Sequence, residues 1–126
     1  MSMVIWAVEE GQAGDSSTPD LWALYHFNGE LDKICDEAGV SKRTTFHDIS
    51  VMAAEFDQEM EPQLSDASAL LASLTKVRDV VVNGGRQFIL NGVDRTSDVV
   101  HDFDETIRVA SECKAKGKRV RLSVIP

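Results

Sequence analysis

TSDVVHDFDETIRVASECKAKGKRVRLSVI, Thr96 to Ile125, is the stretch that decides the fold. Val99, Val100, Phe103, Ile107, Ala110 and Cys113 recur at three- and four-residue spacing, the stripe of an amphipathic helix. Thr96 or Ser97 supplies its N-cap, Lys114 and Lys116 suit the negative end of its dipole, and Gly117 stops it. Beyond Gly117 the period changes. Val120, Leu122 and Val124 alternate with Arg119, Arg121 and Ser123, the pattern of a half-exposed strand over Lys118 to Ile125. A helix running into a strand needs a second strand to pair with, because a lone strand leaves its backbone groups unpaired.

The N-terminus offers that partner. Ser2 to Val8 places Met3, Ile5 and Ala7 on one face and Val4, Trp6 and Val8 on the other, a strand apolar on both sides. The simplest assembly pairs the two terminal strands and packs the helices over them. The expected class is α+β, with three or more helices on a small sheet that includes the N-terminal and C-terminal strands.

Gly11 to Asp20 is rich in Gly, Ser, Pro and Asp and reads as a surface loop. A helix is expected from about Pro19 to Ala38. Thr18 would be its N-cap, Pro19 its first residue and Gly39 its stop, with Leu21, Leu24, Tyr25, Leu31, Ile34 and Cys35 on the apolar face. Asn28-Gly29 interrupts that face and marks where the helix is expected to kink or split. Val40 to Glu61 reads as a short extended or irregular piece, then a helical turn or two within Val51 to Met60, closed by Pro62. Ser65 is the expected N-cap of the next helix, with Asp66 in its first turn. Ala67, Leu70, Leu71, Leu74, Val77 and Val81 mark its buried face. Two readings compete over Val77 to Leu90: the helix continues to Asn83-Gly84-Gly85, or Asn83-Gly84 turns a hairpin.

Length and composition bound the rest. The 126 residues, 43% hydrophobic and 27% charged, fit one domain, 1–126, able to bury a core without disulfide or metal. Apolar runs fall far short of the roughly 20 residues of a membrane span. Met1 to Gly11 lacks a basic n-region and carries Glu9 and Glu10, unlike a secretory signal. The expected location is cytoplasmic, in keeping with Cys35 and Cys113 as two buried free thiols and no C-x-x-C.

No catalytic motif stands out, and no cofactor or resident metal is expected. Gly84-Gly85 lacks the spacing of a dinucleotide or P-loop fingerprint, and there is neither G-x-S-x-G nor H-E-x-x-H. His26, His47 and His101 lie on different segments. His101 and Glu105 would share one helix face at i and i+4, where a metal or hydrogen-bonded pair is geometrically possible, but a solvated helix face is the favoured reading.

Charge carries more information. Residues 1–66 hold 14 Asp or Glu against 3 Lys or Arg, a net of −11, and residues 67–126 hold 7 against 10, a net of +3. Asp48 to Asp66 contains Asp48, Glu55, Asp57, Glu59, Glu61 and Asp66 and no cation, whereas Lys114 to Arg121 contains five cations and no carboxylate. The first pattern implies an acidic face that repels nucleic acid and attracts a basic protein, and the second implies charges guarding a sheet edge. The expected partner-binding residues are Glu55, Asp57, Glu59 and Glu61, then Asp48, with Phe56 or Met60 as an apolar anchor. No membrane partner is expected.

The run Leu21-Trp22-Ala23-Leu24-Tyr25, Leu31-Asp32-Lys33-Ile34-Cys35, Gly39-Val40, Phe46 and Asp48 resembles a pattern in small bacterial cytosolic proteins of the immunity-protein kind. Its positions are mostly packing residues, so the resemblance implies a fold type more than a function. It agrees with the leading expectation from charge, a non-enzymatic protein that neutralises a basic toxin domain by binding it. The alternatives are a small enzyme with a carboxylate and histidine site, or a regulatory or scaffold subunit of a larger assembly.

Overall fold

The computed structural model describes residues 3–126; Ser2, placed in the first strand above, lies outside them. The chain is α+β. Strand β1 (Val4–Glu9) and strand β5 (Val120–Ile125) pair antiparallel, as expected, with Val4 opposite Ile125 and Glu9 opposite Val120. A two-residue strand, β2 (His47–Asp48), pairs parallel to the other side of β5 and gives the order β1-β5-β2.

β5 is therefore the centre of the sheet. Val120, Leu122, Ser123 and Val124 are all buried, and the half-exposed alternation is absent. Its neighbouring cations do not guard an edge. Lys116 binds Glu9 at 2.9 Å, Arg119 binds Glu10 at 2.7 Å, and Arg121 is half-buried, 3.8 Å from Asp48. Period two cannot report a second neighbour strand, because a small or partly paired polar residue on the covered face leaves the pattern unchanged.

The first helix starts later than its sequence signals. Leu21 is held in extended form by two backbone hydrogen bonds with Ile5, so Thr18 and Pro19 precede the helix. α1 (Trp22–His26) follows, Phe27 breaks it, and α2 (Asn28–Ala38) runs on to Gly39, which takes the left-handed φ of 73° that suits glycine. The cap of α1 comes from elsewhere in the chain. The Asp102 carboxylate accepts from the N–H groups of Ala23 (2.9 Å) and Leu24 (3.3 Å). The split near Asn28-Gly29 is thus real, and the buried Phe27 ring stacks edge-on against Phe88 with centroids 5.3 Å apart.

A 3-10 turn (Arg43–Phe46) leads into β2, followed by α3 (Ser50–Glu55) and an irregular stretch to Ser65. α4 (Ala67–Asn83) is capped by Asp66, whose carboxylate accepts from Ala69 N–H at 2.9 Å. Ser65, the expected cap, instead exchanges two backbone hydrogen bonds with Val120. Of the two readings for Val77 to Leu90, the helix holds through Asn83. The tight hairpin lies further on, where Asn91 (φ 52°) and Gly92 (φ 78°) join β3 (Ile89–Leu90) to β4 (Val93–Asp94). α5 (Thr96–Ala115) then packs along α4 and reaches β1. Ile5, Leu24, Leu31, Leu70, Leu74, Val77, Phe103 and Leu122 form the centre of one core cluster. No helix is long and apolar enough to cross a membrane, among the described residues.

Candidate interaction surface

The segment between β2 and α4 begins at a buried carboxylate. Asp48 is 1% exposed, so it is not the surface contact expected from sequence. It accepts hydrogen bonds from Ser50 N–H (3.0 Å), Ser50 Oγ (3.0 Å), Gln63 N–H (3.2 Å) and Ser123 Oγ (3.2 Å). Ser50 and Gln63 flank the projecting part of the chain, and Gln63 also donates from Nε2 to Thr45 O at 2.7 Å. One carboxylate thus closes the neck of residues 49–63 and ties it to β5. Burial is tolerable because every oxygen is partnered and Arg121 lies near.

Beyond the neck the chain turns outward. α3 ends when Asp57 enters the left-handed region at φ 57°. Gln58 N–H then reaches back to Ala53 O (3.0 Å) and Asp57 N–H to Ala54 O (3.2 Å), satisfying carbonyls the helix leaves free. Phe56 precedes that turn and is 73% exposed; Met60 is 48% exposed, and Ile49 and Val51 are exposed as well. The other exposed large hydrophobic side chains, Val82, Ile89 and Val93, lie at the end of α4 and on the hairpin.

The carboxylates here are unlike most of the others. Glu9, Glu10, Asp36, Glu37, Asp98, Asp104, Glu105 and Glu112 each form an ion pair. Asp15, Asp20, Asp32, Asp66 and Asp94 accept hydrogen bonds. Glu55, Asp57, Glu59 and Glu61 do neither, among the described residues, and all four are exposed. No Lys or Arg occurs between Arg43 and Lys76, so a cation for these carboxylates would have to come from a distant element, as Lys116 and Arg119 do for Glu9 and Glu10. Structure therefore brings together Glu55, Phe56, Asp57, Glu59, Met60 and Glu61 on one projecting segment and leaves Asp48 beneath it.

A groove of about 770 Å³ opens within this segment, with Ala54, Met60 and Pro62 contributing apolar wall and Asp57, Glu59 and Glu61 contributing charge. A second recess, about 310 Å³, lies between the 11–20 loop and α5. The charged groups around it are already committed to one another: Glu9 with Lys116, and Arg108 with both Glu105 and Glu112. A charged ligand there would have to displace existing pairs, whereas the groove beside α3 offers free ones.

Two buried polar groups went unmarked by any sequence pattern. Arg43, 1% exposed, donates to the Leu24 carbonyl, an acceptor near the break at Phe27, and its Nη1 lies 3.1 Å from His47 Nε2. Burial brings Arg43 down to about 10, so it stays charged at neutral pH. Burial and the adjacent guanidinium push His47 down to about 4, which keeps its ring neutral and able to accept. Asp102 is raised by burial, against the pull of His101 and the two α1 amides. These groups secure α1 at both ends: Asp102 takes its first N–H groups and Arg43 takes a carbonyl near its last turn.

The histidines stay apart in role. His26 is exposed beside Trp22 and Phe27, His47 faces Arg43, and His101 lies 3.5 Å from Asp102. Glu105, which could have joined His101, is bound to Arg108. No group of three or more His, Cys, Asp or Glu side chains is placed to hold a metal ion, among the described residues. Cys35 and Cys113 are free and buried, and burial raises both thiols. No protein-family model, curated protein or solved structure matches the chain.

Proposed function

We propose that this protein is a non-enzymatic acidic binder that neutralises a basic protein by direct contact, in the concrete form of a bacterial immunity protein acting on a cognate toxin domain in the cytoplasm. One observation carries the reading: among the described residues Glu55, Asp57, Glu59 and Glu61 have no internal partner, and they surround the exposed Phe56. Carboxylates held this way contribute little to folding, and they present a negative field that speeds the approach of a cationic surface. Phe56 and Met60 supply apolar area that a partner can cover, the usual source of affinity at the centre of an interface. The buried free thiols Cys35 and Cys113 support a reducing location.

The test is to reverse Glu55, Asp57, Glu59 and Glu61 to Lys and measure association with the cognate toxin domain. At low salt the association rate should fall by about tenfold or more, and its dependence on ionic strength should flatten or change sign. An unchanged rate and salt slope would remove this segment from the interface.

A further inference from the structure

We infer that Arg43 and His47 form an acid-operated latch: a proton taken up by His47 drives its ring away from Arg43, draws β2 off β5 and frees the projecting segment, residues 49–63, while β1 and α5 stay in place. The latch is a property of the chain alone and does not depend on the binding role proposed above. Arg43 is 1% exposed; it donates from Nη2 to Leu24 O at 2.5 Å, and its Nη1 lies 3.1 Å from His47 Nε2. A guanidinium carries donors only, so Nε2 accepts and the neutral ring keeps its hydrogen on Nδ1. A proton added at Nε2 sets donor against donor and cation against cation, away from bulk water, where repulsion is weakly screened. Arg43 does not relieve it by losing a proton, because its value is about 10, and it is enclosed on all sides. His47 is only half-buried and sits on a strand held to β5 by two residue pairs, so the ring is the part that moves.

The charges around the pair come from several elements. Asp32 of α2 favours an imidazolium, but its carboxylate already accepts from the Thr44 N–H and hydroxyl. Burial and then Arg43 outweigh it and hold His47 down to about 4. Asp102 of α5 acts on Arg43, and Cys35 of α2 is kept a neutral thiol by burial. Arg121 of β5 faces Asp48 at 3.8 Å, and α4 contributes Ser73, whose hydroxyl donates to Ser41 O at 2.9 Å. The segment that the latch governs is lightly anchored. Ala53 is the one buried residue between 49 and 63, so little apolar burial opposes release. What holds the neck is Asp48, the neighbour of His47, through the N–H groups of Ser50 and Gln63. A shift of β2 therefore moves both ends of the neck together.

The experiment follows amide hydrogen exchange of the full chain from pH 7 to pH 5, a window above the ordinary carboxylate range. Rates are divided by the intrinsic rate at each pH, so that they report opening alone. An open neck returns His47 towards 6.5, and the closed neck holds it at about 4. Opening is then favoured as pH falls below 6.5, by about twentyfold between pH 7 and pH 5. Protection of the Ser50, Ala53 and Gln63 amides should drop by that factor, while α5 amides keep theirs. His47→Gln offers Arg43 an amide oxygen that does not titrate, so it should flatten the dependence. A drop shared equally by α5, no drop in the unmodified chain, or a drop that persists in His47→Gln would overturn the inference. Should His47→Gln fail to fold, the ring nitrogens of His47 in the unmodified chain decide, followed by NMR over the same range. The imidazolium signal should grow in step with the loss of protection at Ser50 and Gln63. An imidazolium formed while those amides stay protected would also overturn it.

Discussion

Glu9 ends β1 and Glu10 follows it, while Glu59 and Glu61 follow α3, and the two pairs do opposite work. The first pair is bound to Lys116 and Arg119, residues more than a hundred positions later, and so ties the N-terminal strand to the turn after α5. The second pair binds nothing within the chain, among the described residues. In sequence both look alike, acidic residues in the −11 half. Folding sorts them. The basic run Lys114 to Arg121 is largely consumed by Glu9, Glu10 and Asp48, so the uncompensated negative charge concentrates on residues 55–61. Charge that is paired contributes to the fold, and charge that is left over is available to a partner.

Asp48 gives the sharpest way to break this division, because it lies in the acidic segment but belongs to the fold-holding class. Asp48→Ala strands the N–H groups of Ser50 and Gln63 and the hydroxyl of Ser123. Leaving buried donors unsatisfied should cost about 2–4 kcal/mol in urea unfolding. Hydrogen exchange should show the amides of residues 49–63 opening before those of β1 and α5. A loss no larger than that of a surface substitution would mean the neck is held by something other than this carboxylate.

The two regions should also titrate in different windows. His47 sits at the root of the acidic segment with its folded value depressed to about 4, below the ordinary 6.5. Above pH 6.5 the ring is neutral in both states, and the fold has its full stability. As pH falls from 6.5 towards 4 the unfolded chain takes up a proton that the folded chain refuses, so stability declines, by about 3 kcal/mol in all. Glu10, held down to about 2 by Arg119, acts lower: its contribution is present above 4.5 and is lost as pH falls through about 2. Thermal unfolding followed from pH 7 to 4 should therefore show a slope that His47→Gln removes and Glu10→Gln leaves. A slope unchanged in His47→Gln would place the responsible group elsewhere.

This sorting explains what could be read from sequence. The α5–Gly117–β5 run was legible because helix period, dipole charges, glycine stop and strand period all agree locally. The pairing of β1 with β5 followed from having two strand patterns. What stayed hidden depends on distant partners. Asp102 looks like a solvated helix residue but caps α1 from 79 positions away, and Thr18 looks like a cap but is displaced by the Leu21–Ile5 bridge. Arg43 reads as a loop cation, yet the acceptor it finds, Leu24 O, lies beside the helix break. At the candidate site, exposure of Glu55, Phe56, Asp57, Glu59, Met60 and Glu61 was foreseeable from a charged stretch ending at Pro62. Burial of Asp48 was not, because its donors Gln63 and Ser123 are brought to it only by the fold.

The smallest expected effect is the most telling about residues 55–61. Glu59→Gln and Glu61→Gln remove charge that no cation among the described residues opposes, so each should shift stability by less than about 0.5 kcal/mol, and the double variant should be neutral or slightly stabilised. Relief of repulsion among four neighbouring carboxylates gives the favourable sign, and added salt should erase the gain by screening. Glu10→Gln supplies the contrast: it abandons Arg119 and should lower the melting temperature at low salt, with the loss shrinking as salt rises. Opposite signs with a common salt dependence would separate paired from unpaired carboxylates by one measurement. A destabilisation in Glu59→Gln matching that of Glu10→Gln would show that the acidic segment is held by its own charges, and that it is not free to meet a partner.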